Sequence, residues 1–320
     1  MVRTVVIKEP LLKLSCALGE GCIWDTRKQR LFFVDIDERK VFTYEPRTGI
    51  VGYQTFDRKI TALALLEQDD GVLGTAEDGM IHIPNTSLPF PPTGENMPYK
   101  RLPVNITPPK GFNRFNEACV DPTGTRFLCG TMGDQDRWDS AREVGGTMYA
   151  LQSDGYGGLA APLVLDNITC SNGMGWTEDL KTMYFTDSFR KEIANFDYDV
   201  VTGVMSNRRI FNNIDEDDMG WPDGMCMDNE YGIWSARWGA GKVIRFAPDG
   251  QMDIVIEFPK ALNMTCCIFG GKDMDELYVT SASAATSGDS VKDFPDSGHV
   301  FLVKGLGFRG PERTRFKGLK

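Results

Sequence analysis

Four segments of this chain repeat one arrangement, and that repeat restricts the fold more than any other feature. They are Glu20-Gly-Cys-Ile-Trp-Asp25, Asn116-Glu-Ala-Cys-Val-Asp121, Asn172-Gly-Met-Gly-Trp-Thr177 and Asp223-Gly-Met-Cys-Met-Asp228. Each opens on an oxygen-bearing side chain, runs through small and apolar residues, and reaches a polar turn. A second β-rich run follows each time: LFFVDI, RFLCGTM, TMYFTDS and GIWSARW. Weaker copies start at Thr61 and Thr265, so repeats begin near 20, 61, 116, 172, 223 and 265. Their spacing, roughly 40–55 residues, is that of a four-stranded propeller blade. Long helical periodicity is nearly absent, and Gly, Asp and Pro punctuate the runs, as in all-β folds.

The reading is therefore all-β: a six-bladed β-propeller with a central channel, one domain over residues 1–320 rather than the two that length alone suggests. Unequal spacing marks insertions at 84–112, 133–146 and 283–298, which suit the rim of a binding site. The first blade is expected to borrow a strand from the opposite terminus. Thr4–Lys8, Leu11–Ser15 and His299–Lys304 are the candidates.

A propeller's innermost strands line its channel. The first residues of the repeats, Glu20, Thr61, Asn116, Asn172, Asp223 and Thr265, would thus form a ring at one channel end. Two carboxylates held close repel unless a cation or a proton lies between them. Carboxylate and amide oxygens are hard ligands for calcium, magnesium or manganese. Gly21, Gly173 and Gly224 follow three of the donors and leave room beside an ion. Taken singly, Asn-Gly and Asp-Gly are common turn formers; the shared register is what argues for a common site.

Net charge is −10, which disfavours nucleic acid and anionic membranes as partners. No run of about 18 apolar residues exists, and the start lacks the pattern of a secretory signal. The eight cysteines include no C-x-x-C pair, so free buried thiols and a cytoplasmic location are expected. His82 and His299 lie away from the repeat starts and read as structural or surface residues. There is no G-x-S-x-G elbow, which argues against serine-hydrolase chemistry. Phe115, Trp138, Trp221 and Trp238 fall near the inferred loop end and suit core or rim packing.

The joined stretches LGEGCIWD, RFNEACVDPTGTRFLCGTM, SNGMGWTEDLKTMYFTDS, PDGMCMDNEYGIWSARWGAGKVIRFAPDG and CCIFGGKDMDELYVTSA resemble the senescence marker protein 30 (regucalcin), gluconolactonase and luciferin-regenerating enzyme family. The resemblance runs in order over roughly residues 13–310. It implies a six-bladed propeller with one divalent ion, calcium in the first place, with magnesium, manganese or zinc as alternatives. The implied metal ligands are Glu20, Asn172 and Asp223. The implied substrate contacts are Arg114 and Asn116, with Glu117 and Asp134 as acceptors for hydroxyl groups. Two positions depart from the family pattern: RFND is RFNE here, giving Glu117, and the acid after GTM is Asp134 rather than Glu.

The expected activity is hydrolysis of a sugar lactone, a small-molecule substrate, with Asp223 doubling as general base. An organophosphate or ester hydrolase, a luciferin-regenerating-type enzyme, and a calcium-binding regulatory protein without turnover are the alternatives.

Overall fold

The structure is a computed structural model describing residues 2–68, 71–84, 96–106, 112–133, 145–213 and 216–319. Its strands form six sheets, each built from consecutive antiparallel hairpins, and these are the six blades of a β-propeller. The innermost strands are Gly19–Asp25, Ile60–Leu65, Phe112–Val120, Ser171–Trp176, Trp221–Met227 and Asn263–Gly270. Among the described residues of these strands nearly all are buried, because both strand faces meet neighbouring blades. No helix among the described residues is long and apolar enough to cross a membrane.

Blades pack through aromatic and aliphatic side chains of their inner and middle strands. Trp24 of blade one stacks on Tyr278 of blade six, ring centroids 5.3 Å apart. That contact requires Gly270, since a Cβ there would lie 2.6 Å from the Trp24 ring. All eight cysteines are free thiols, seven of them buried.

Ring closure differs from the sequence expectation. Blade one is complete with its own four strands. The borrowed strand goes instead to blade six, whose own strands number three. Leu11 and Leu12 donate their amides to the Val300 carbonyl at 2.8 and 3.0 Å, and Val300 N–H returns a bond to Leu12 O at 3.1 Å. Arg3–Val6 pairs in parallel with Met252–Glu257 as a fifth strand of blade five. The N-terminal segment thus spans the last two blades. A short apolar run can join either edge, and sequence alone did not choose between them.

Of the insertions, most of 84–112 and 133–146 lies outside the described residues. The third, 283–298, carries the short 3₁₀ turn Ala284–Ser287.

Candidate metal centre at the channel mouth

Every innermost strand breaks register with its neighbour at, or one residue from, the start of its repeat. The shifts lie between Glu20 and Ile23, Ile60 and Ala62, Phe115 and Ala118, Ser171 and Met174, Pro222 and Met225, and Met264 and Cys266. A bulge re-aims the side chain it carries. Here the repeated bulge brings Glu20, Asn116, Asn172 and Asp223 to one cavity of about 290 Å³, together with Arg114.

The two threonine blades behave differently. Thr61 Oγ1 shares a 2.7 Å hydrogen bond with Thr75 Oγ1, and Thr265 Oγ1 a 2.9 Å bond with Thr280 Oγ1. Neither threonine lines the cavity; each ties its inner strand to the next.

The loops leading into the donors are held by a second repeated device. Asp35, the last residue of Arg30–Asp35, accepts from Ala17 and Leu18 amides at 2.9 and 3.0 Å, just ahead of Glu20. Asp187, the last residue of Thr182–Asp187, accepts from the Thr169 and Cys170 amides at 3.1 and 2.9 Å, just ahead of Asn172. In blade five, Arg237 donates instead to Met219 O and Gly220 O, at 2.8 and 3.3 Å, ahead of Asp223. At the far ends of the inner strands, Asp25, Asp121 and Asp228 are buried acceptors for turn amides. Those acids belong to the turns, unlike the ones at the mouth.

Glu20 and Asp223 are each only 7% exposed. Burial, then the charge of Glu117, pushes the Glu20 carboxyl up to about 8. Burial, then Glu20 and Glu117, holds Asp223 well above the usual carboxylate range. Burial lowers the Arg114 guanidinium, an effect opposed by the Cys170, Glu20 and Asp223 charges among others. Glu20 and Asp223 line one buried cavity and the Glu20 charge helps to hold Asp223 up, so without a cation the pair favours keeping a proton.

The two asparagines divide their work. Asn116 Oδ1 accepts from Arg114 Nη1, and its Nδ2 donates to Ser171 O at 2.8 Å. Asn172 Nδ2 donates to Ser188 Oγ at 2.8 Å, while Asn172 Oδ1 is buried with no partner among the described residues. A buried amide oxygen without a partner costs free energy unless something completes it. Two facing carboxylates and this oxygen fit one hard divalent cation: Glu20, Asn172 and Asp223 would hold it, and Asn116 would not need to.

The other expected residues fall as follows. Glu117 does not line this cavity. It follows Asn116 within the bulge and faces deeper into the channel, where it lines a separate cavity with Cys266 and Arg313. Asp134 and Trp138 lie outside the described residues. Phe115 is core, 1% exposed, whereas Trp221 and Trp238 line the mouth cavity. His299 Nδ1 accepts from Ser15 N at 3.1 Å, and neither histidine lines the site. Sequence reasoning missed Ser188 and Phe189, which arrive on the 3₁₀ turn Ser188–Arg190, and Thr286 from the third insertion. Phe189 packs edge-on against Trp221, centroids 5.6 Å apart.

Fold and site together define a six-bladed propeller whose channel mouth carries a ring of buried oxygen donors. Residues 18–283 match the SMP-30/gluconolactonase/LRE-like region, and the chain belongs to that family. It is 33% identical to regucalcin of Xenopus laevis over 314 residues, covering 96% of this chain and 99% of the relative. It is similar to a solved luciferin-regenerating enzyme, with 28% identity, a TM-score of 0.82, and 95% and 96% of the two chains covered. The regucalcin structure from Agrobacterium tumefaciens shares the fold at a TM-score of 0.82 and 24% identity, covering 99% of this chain and 100% of that one.

Proposed function

We propose that the protein is a divalent-metal-dependent hydrolase that opens lactones, with sugar lactones such as gluconolactone as the first substrates to assay. The observation that carries this reading is Asn172 Oδ1, buried without a partner among the described residues, in one cavity with the buried Glu20 and Asp223 carboxyls. The family, which includes gluconolactonases, supports the choice of reaction. Three oxygen donors and no imidazole favour calcium, then magnesium or manganese, over zinc.

A cation held there by Glu20, Asn172 and Asp223 would polarise an ester carbonyl and make a nearby water more acidic. The chain's own groups supply the rest. Asp223 receives the proton of the attacking water while also binding the ion. Arg114 Nε is buried without a partner among the described residues, so it keeps a donor for the carbonyl or ring oxygen of the substrate. Asn116 fixes the Arg114 guanidinium from one side. Phe189, Trp221 and Trp238 form an apolar wall that excludes bulk water from the reacting bond.

The test is lactone opening, followed as acid release, by metal-free and metal-reconstituted protein. Hydrolysis should depend on metal, and Asp223→Ala should lose turnover as well as metal affinity. An Asp223→Ala chain that turns over gluconolactone at the wild-type rate contradicts the mechanism. Metal binding without turnover of any lactone or ester would leave a calcium-binding role instead. A second reading keeps the site and changes the substrate. The likeness to a luciferin-regenerating enzyme favours an enzyme of that type on the same site.

A further inference from the structure

Below the mouth, the channel carries a second group of cation ligands. Carboxylate oxygens of Glu20 and Glu117 and the Cys266 sulfur lie within 4.8 Å of one another. Glu117 and Cys266 also line a cavity of about 30 Å³, room for a single water or ion. Glu20 is common to this group and to the mouth site. A cation in the lower group would therefore share a carboxylate with the upper one, the arrangement of two-metal hydrolases.

The remaining wall of that cavity argues against a second ion. It includes one fixed cation, Arg313, on a C-terminal segment that crosses the channel end opposite the mouth. The segment bonds to every blade. Gly310 N donates to Met274 O at 2.9 Å, and Asn229 N to Arg309 O at 2.7 Å. Phe316 N donates to Leu65 O and Lys317 N to Gly124 O, both at 2.8 Å. Arg315 pairs with Asp25 of blade one. Arg313 itself donates to Met225 O at 3.0 Å, Met174 O at 3.5 Å and Cys119 Sγ at 3.3 Å, which fixes its guanidinium facing Glu117 across the cavity.

Charge counting completes the case. Glu20, Glu117 and Asp223 bring three negative charges to the adjoining sites. One divalent ion at the mouth and one guanidinium below neutralise them. Arg114 is then left to meet the negative charge that develops on substrate. A second divalent ion would overcharge the channel and stand against a fixed guanidinium in a cavity that holds at most one small ion or water.

We propose that Arg313, delivered by the C-terminal segment, takes the place of a second cation and limits this site to one metal ion. The inference rests on the metal reading above, and its test separates the two. Metal-free wild type, Arg313→Met and Arg313→Lys are titrated with Mn²⁺, counting bound ions by calorimetry and by loss of the free-ion EPR signal. One ion is expected in wild type and in Arg313→Lys, and two in Arg313→Met. One ion in both wild type and a folded Arg313→Met overturns the inference but leaves the metal reading standing, and two ions in wild type do the same. No ion in wild type overturns both. If Arg313→Met alone does not fold, added Mn²⁺ or the second substitution Glu117→Gln should restore folding by removing the uncompensated charge. Failure of both rescues overturns the inference.

Discussion

At the residue scale, Asn172 shows how a ligand is made rather than merely placed. Asn172 Nδ2 donates to the Ser188 hydroxyl, which leaves Oδ1 as the end available to a cation. Ser188→Ala should weaken metal binding about tenfold, the usual effect of removing an outer-shell partner, and should lower the melting temperature in chelator slightly, because the buried Nδ2 loses its acceptor. Calorimetric titration beside a thermal melt checks both halves. The carboxyls give a pH signature. In the metal-free fold Glu20 keeps its proton up to about pH 8, whereas an unfolded Glu loses it near about 4.3. Over that interval the folded chain binds more protons than the unfolded one, so stability of the metal-free protein falls as pH rises. Bound metal displaces the proton, so its stabilising effect should grow over the same range. Melts in chelator and in calcium at pH 5.5 and 8.5 should show the gap widening; a narrowing gap contradicts this account. That Glu20, Asn172 and Asp223 would meet at one cavity was legible because each opens a repeat with an oxygen donor. Ser188, Asp35 and Asp187 were not. They lie on or after second strands, and only the folded loop shows what they hold.

At the element scale the functional unit is the bulged inner strand. Small residues beside the donors let neighbouring inner strands approach closely: a Cβ on Gly173 would lie 2.4 Å from Met225 Cγ and 2.5 Å from Met225 N. Gly173→Ala must therefore push blades four and five apart. We expect a loss of about 1–3 kcal/mol in chemical denaturation, the range for overpacking. Metal affinity should fall with it, because Asn172 and Asp223 sit on the two strands that separate. The sequence showed the repeats and the glycines but not the register shift, since a bulge is a property of two paired strands. Its most direct consequence is Glu117, which the shift carries past the mouth and into the channel.

At the scale of the whole molecule, closure decides whether the six inner strands stay in a ring. The N-terminal segment completes blade six, and the C-terminal segment bridges the far ends of all six blades. Leu12→Ala, at a position 9% exposed, should cost about 2–3 kcal/mol in denaturant unfolding. A smaller loss would mean that the terminal latch carries little of the fold. Repeat number and order could be read from the chain because each blade is local in sequence. The latch could not, because Leu12 and Val300 meet across nearly the full length of the chain, and many short apolar runs would pair as well.

The central claim is that Glu20, Asn172 and Asp223 close around one divalent ion at the channel mouth. Anomalous diffraction from crystals soaked in Mn²⁺ tests it most directly. The account predicts a single strong peak about 2.0–2.6 Å from an oxygen of each of those three side chains. A map with no peak at the mouth, or with the ion bound away from any one of the three, would contradict it.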